Sequence, residues 1–130
     1  MGGISPLIPS SSSAGVPIGP YLSYALAAGA NNNVDPSATW PVTAGGLNYG
    51  RLDLDTSAGV ATLTGLKAGN DGQEVLGRVI GANQLTVDTF NAGSTAANQF
   101  SYAAGGFILV QWSTFLLVYY AGSVNKWVLR

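Results

Sequence analysis

The chain has 130 residues, enough for one domain, and 8% of them are charged, about a third of the usual share in a soluble domain. It has no Cys and no His, which excludes disulfide frameworks, thiol catalysis and every histidine-based acid–base mechanism. The net charge is −1 and no two Lys or Arg are adjacent, so no nucleic-acid partner is expected, because such a groove needs several cations on one face. So few charges imply that much of the surface faces other protein. The simpler alternative is a Gly/Ser/Asn/Thr surface, polar without charge.

The first charged residue is Asp35. Before it runs a Gly/Ser/Pro-rich segment studded with Ile4, Leu7, Ile8, Val16, Ile18, Tyr21, Leu22 and Tyr24. A solvated tail carries charge and few aromatic or branched apolar residues. This segment therefore reads as an anchoring arm that lies on a partner, with those eight residues as its contacts. Pro6, Pro9, Pro17 and Pro20 keep Met1–Pro20 extended, since each fixes its own φ and biases the residue before it. They also interrupt any continuous apolar stretch, and Met1 is followed by Gly-Gly without a cation, so no secretory leader is expected. Tyr21–Ala30 is the one segment with a helical apolar face, for one or two turns at most. Asn31–Gly46 reads as linker. The arm and linker together span 1–46.

From Leu47 the pattern predicts strands: short apolar runs every eight to twelve residues with Gly, Asn or Asp between them. The predicted strands are Asn48–Asp55, Val60–Leu66, Glu74–Ile80, Leu85–Phe90, Gln99–Tyr102, Phe107–Val110, Phe115–Tyr120 and Lys126–Leu129. Phe107–Tyr120 is the longest apolar stretch, but it is too short to span a bilayer and contains Gln111, Ser113 and Thr114; two strands fit it better. No membrane partner is expected. This spacing predicts an all-β fold, a small antiparallel β-sandwich or jelly roll over 47–130, with no convincing internal repeat.

Few residues offer chemistry. Asp53 and Asp55 share a strand face, which suits solvation better than calcium, a cation that prefers six to eight loop oxygens. None of Asp53, Asp55, Asp71, Glu74 and Asp88 pairs convincingly for glycoside hydrolysis. Ser10–Ser13 lacks any base and reads as a spacer. Lys67–Gly72 bears glycines but no helix is expected after it, so it reads as a hairpin turn and not a phosphate loop. No enzyme activity, cofactor or metal is expected. Trp112 lies where a polar turn should be. It either folds back on its own core, packs across a subunit boundary or stacks on a sugar. With Phe115, Leu117 and Tyr119 it forms the expected subunit interface, aromatic residues being enriched at interface centres. Tyr119, Tyr120 and Trp127 also suit packing of the last hairpin.

Between Thr62 and Trp127 the chain carries Thr64-Gly65-Leu66, then Gly69 to Gln73, Gly81-Ala82 with Leu85-Thr86-Val87, Ser94 to Phe100, and Tyr120 with Trp127. In these it resembles a β-domain of tailed-phage virion proteins, found in fibres, spikes and capsid decorations. Gln99 stands where that pattern commonly has Arg. The resemblance covers about half the chain and rests on turn and packing residues. It implies a small β-sandwich, usually a homotrimer, and does not say which part of the virion holds it. The resulting expectation is a capsid decoration (cement) protein held on the major capsid protein by its arm. The alternative is a tail-fibre, spike or head-fibre module contacting tail proteins and host glycan.

Overall fold

The computed structural model describes residues 20–102 and 105–130. It is all-β. Its ten strands are β1 (Tyr21–Ala25), β2 (Gly29–Asn31), β3 (Arg51–Asp55), β4 (Ala61–Leu63), β5 (Glu74–Val79), β6 (Leu85–Val87), β7 (Phe100–Ser101), β8 (Phe107–Leu109), β9 (Thr114–Tyr120) and β10 (Lys126–Leu129). A 3-10 turn, Ala96–Asn98, precedes β7. No helix among the described residues is long and apolar enough to cross a membrane. Each of the eight predicted strands appears, most of them shorter by a few residues at the ends.

Two sheets form, in the orders β1-β3-β5-β9-β10-β7 and β2-β4-β6-β8. The chain alternates between them three times: β1 to β2, β3 to β4, β5 to β6. Successive passes stack in parallel, with Leu22 beside Leu52 and Tyr24 beside Leu54. Leu54 in turn lies beside Val79, and in the second sheet Ala61 pairs with Gly29 and Leu85. Only the last strands turn back. β9 runs antiparallel to β5, β10 antiparallel to β9, and β8 antiparallel to β6.

This arrangement corrects the expectation of antiparallel strands throughout. Parallel neighbours need a long crossover, and here the crossover is a strand of the other sheet. Alternating apolar residues with turns between them look the same in both cases, because the side-chain period of two says nothing about the partner's direction. The three passes are also a structural repeat that the sequence conceals. Only a few inward side chains and a small corner recur. At the corners the backbones come close. A Cβ on Gly81 would lie 2.4 Å from the Thr56 backbone nitrogen, and one on Gly59 2.9 Å from the Ala28 Cβ. Thr56 Oγ1 donates to the Asn83 carbonyl at 2.6 Å, and Asn83 Nδ2 donates to the Thr56 carbonyl at 2.8 Å.

Two further corrections concern the first third of the chain. Tyr21–Ala30 is not helical, because β3 offers a complete ladder to a segment that lacks helix caps and charges. Among the described residues the sheets therefore begin at Tyr21 and not at Leu47. The stretch read as linker is also built in. Trp40 is fully buried and stacks on Tyr49 at 5.7 Å.

One apolar interior lies between the sheets. Leu52, Leu54, Val75, Val79, Phe115 and Leu117 face it from one side, and Ala61, Leu63, Leu85 and Val87 from the other. Gly77 pairs with Phe115, whose ring occupies the space a Cβ would need, with Cζ only 2.4 Å from it. Gly77→Ala should destabilise the fold by roughly 1–3 kcal/mol through overpacking. Leu54→Ala should cost roughly 2–5 kcal/mol through loss of buried volume. Urea unfolding of each variant against the native chain checks both values.

Candidate functional site

The outer face of the six-stranded sheet holds the main cluster of charge in the fold. Alternation along β3 turns Leu52 and Leu54 inward and Arg51, Asp53 and Asp55 outward. Parallel register places Arg78 of β5 beside Asp53. Arg78 Nε and Nη2 donate to the two Asp53 carboxylate oxygens at 3.3 and 3.2 Å. Arg51 Nη2 donates to Asp53 Oδ2 at 3.2 Å. Arg51 Nε lies 3.1 Å from Oδ1, an ion pair at an angle that makes no hydrogen bond, and it is buried without another partner. Asp53 is thus clamped between two guanidiniums with its side chain 5% exposed. This corrects the solvated strand face expected for it. No group of three or more metal-ligating side chains occurs among the described residues.

Aromatic rings bracket the clamp. Arg51 sits 4.2 Å from the centroid of the Tyr21 ring, its cross-strand neighbour. Arg78 sits 5.7 Å from the Trp112 ring. Trp112 occupies the turn between β8 and β9 with φ 70°, a left-handed position that normally takes Gly or Asn. The residue is 62% exposed, so it does not fold back on its own core.

Asp55, two residues on, behaves differently. The Ser57 hydroxyl and backbone N–H both donate to it and hold its carboxyl below the usual carboxylate range. Burial raises the Tyr119 hydroxyl, which donates to the Ala97 carbonyl at 3.0 Å.

The other residues expected to act are dispersed. Ile4, Leu7, Ile8, Val16 and Ile18 lie outside the described residues, as does Ser10–Ser13. Tyr21, Leu22 and Tyr24 are strand residues of β1, with Leu22 and Tyr24 packed against the chain's own core. Of the four residues expected at a subunit interface, Phe115, Leu117 and Tyr119 are buried inside the chain, which corrects that reading of them; Trp112 alone is at the surface. β9 is the central antiparallel strand and its alternate residues fill the interior, so an apolar strand here meant burial within the chain. Tyr119 and Trp127 pack the last hairpin edge to face at 5.2 Å. Lys67–Gly72 does turn the chain, but between strands of different sheets instead of within a hairpin.

The polar motifs act structurally. Thr64 Oγ1 meets Ser94 Oγ at 2.8 Å, and Gly65 is a glycine because Ser94 fills the place of a Cβ. Asn33 Oδ1 accepts from the Thr95 backbone N–H and from Asn98 Nδ2 at 2.8 and 3.0 Å. Gln99 Nε2 donates to the Asn91 and Ser94 carbonyls, both at 3.1 Å, and closes the loop that carries them. The Asn31–Asn33 triplet is a clamp and not a linker: Asn32 meets Thr64 and Asn33 meets Ser94 and Thr95, partners about thirty and sixty residues away that leave no local signal.

No protein-family model, curated protein or solved structure matches this chain.

Two outcomes follow from the carboxylates. Asp53→Ala should destabilise the fold by on the order of 2 kcal/mol, because it leaves two part-exposed cations facing each other; thermal unfolding at low and high salt reads this, with the loss smaller at high salt. Asp55 has a lowered folded pKa, so its contribution is present above about pH 4 and is lost as pH falls through the folded value. Ser57→Ala should move the Asp55 midpoint up toward the usual range in an NMR titration.

Proposed function

We propose that this chain is a structural subunit of a tailed-phage virion, a trimeric decoration protein on the capsid surface. The observation that supports an assembled subunit is the exposed edge of the four-stranded sheet. β8 is its last strand, with no strand beyond it among the described residues. Ile108 and Val110 on this edge are 61% and 63% exposed. Soluble monomers blunt such an edge with Lys, Pro or a bulge. Here no charged residue and no proline occurs between Asp88 and Lys126. An unguarded apolar edge of this kind is suited to cover by another subunit.

The fold suits the role. The two sheets facing each other across one interior support a sandwich-type unit, of which the parallel coil is a particular construction. The residues that carry the virion resemblance, Thr64 to Leu66, Gln73, Ser94 to Phe100 and Trp127, hold turns and core together, as expected of a scaffold without catalytic chemistry. The uncharged segment before Tyr21 then supplies the contact with the major capsid protein. Each apolar side chain it buries contributes about 1.5–3 kcal/mol before ordering costs. Three copies in one trimer raise the effective concentration of the second and third contacts.

Sedimentation equilibrium of the native chain should give three times the 13.3 kDa chain mass. Ile108→Lys with Val110→Lys should yield a folded monomer. On a gel of purified particles the band should approach the major capsid protein in intensity. A native chain that is monomeric at all concentrations, or a band at the level of a few copies per particle, overturns the reading.

A further inference from the structure

We propose that the outer face of the six-stranded sheet binds an acidic saccharide, with Arg78 and Trp112 at the centre of the site. The first observation is the surplus of donors. A guanidinium has five N–H donors. Arg78 uses two and Arg51 one on Asp53. Neither side chain makes another hydrogen bond among the described residues, and the two remain 36% and 27% exposed. With Asp55 two residues along on the same face, two carboxylates match the two cations, so what the face offers is spare N–H donors, held rigid by the shared Asp53.

The second observation is Trp112. A bulky side chain at positive φ is strained. Burial does not offset that strain here, because the indole is mostly in solvent. Its ring instead stands beside Arg78, while Tyr21 stands beside Arg51 at the other side of the clamp. Two flat apolar faces thus flank two unsaturated guanidiniums. Ser23 and Thr114 lie in the same cross-strand row as Asp53 and Arg78 and add exposed hydroxyls.

These features match a sugar acid. The carboxylate takes the guanidinium fork, the C–H face of the ring lies on the aromatics, and the hydroxyls meet Ser23 and Thr114. An acidic peptide would use the cations and leave the aromatic faces idle. A nucleic acid needs more cations than two. The site lies within one chain, so it does not rest on the assembly reading, and the Ile108→Lys, Val110→Lys monomer should retain it.

Tryptophan fluorescence tests this directly. Trp40 and Trp127 are 2% and 0% exposed, so emission quenched by acrylamide reports Trp112. A glucuronic-acid oligosaccharide added to the full chain should protect that emission saturably, and a glucose oligosaccharide of equal length should bind at least roughly tenfold more weakly. By calorimetry, Arg78→Gln should weaken uronate binding roughly tenfold or more. Trp112→Gly should do the same; glycine accepts the left-handed turn, so this variant keeps the fold even if Arg78→Gln does not. The proposal is overturned if the uronate gives no protection or if Trp112→Gly binds as the native chain does. It is equally overturned if polyglutamate protects Trp112 as well as the uronate, which would make the face a peptide-binding surface.

Discussion

Two indole N–H groups converge on one stretch of backbone, and much of the structure depends on them. Trp40 Nε1 donates to the Lys67 carbonyl at 3.0 Å, while Trp127 Nε1 is shared between the Leu66 and Lys67 carbonyls at 3.1 and 3.2 Å. The rings meet at 6.1 Å. This ties the segment between β2 and β3, the crossover from β4 to β5, and the last hairpin to a single point. Each indole is buried, so an unpaired N–H there would cost the full desolvation of a donor. Gly69 belongs to the same constraint. A Cβ there would lie 2.7 Å from the Trp127 ring, so the crossover approaches the indole only because it carries no side chain.

A second, polar seam runs beside this point, through Thr64 and Asn98, which flank and bond the same backbone stretch. The Asn31 side chain donates to the Ala27 and Gly29 carbonyls and accepts from the Ala27 N–H, which rounds the corner between the first two strands. Asn32, Thr64 and Ser94 then form a chain of hydrogen bonds, and Asn33 reaches the loop before β7. Such a network holds a unique arrangement only when all its members are satisfied. Short polar side chains suit it because they lose little rotamer freedom on ordering. This accounts for a fold so rich in Asn, Ser and Thr and so poor in ion pairs.

The main ion-pair cluster sits where the sheet needs it least for packing. Arg51, Asp53 and Arg78 sit on the outer face, away from the apolar interior, and the aromatic rings beside them are only partly covered. The uncharged edge at β8 lies on the other sheet. Trp112, in the turn that leaves β8 two residues after Val110, carries the chain from that edge to the charged face.

The sequence by itself determined eight of the ten described strands, those from Arg51 onward. Period-two alternation in Leu52-Asp53-Leu54-Asp55 and Leu85-Thr86-Val87-Asp88, and turn residues such as Asn70-Asp71-Gly72, are local signals, and local signals are legible one residue at a time. It also determined the absence of thiol and imidazole chemistry. What only the tertiary structure decided is which strands are neighbours, and in which direction. Tyr21–Ala25 becomes a strand because β3 is there to pair with it. Trp40 becomes core because Tyr49 and Trp127 surround it, and Asp53 is buried because Arg78 arrives from another strand in parallel register. None of these has a signature in its own segment. Each is a contact between residues far apart in the chain, and such contacts exist only once the coil has closed.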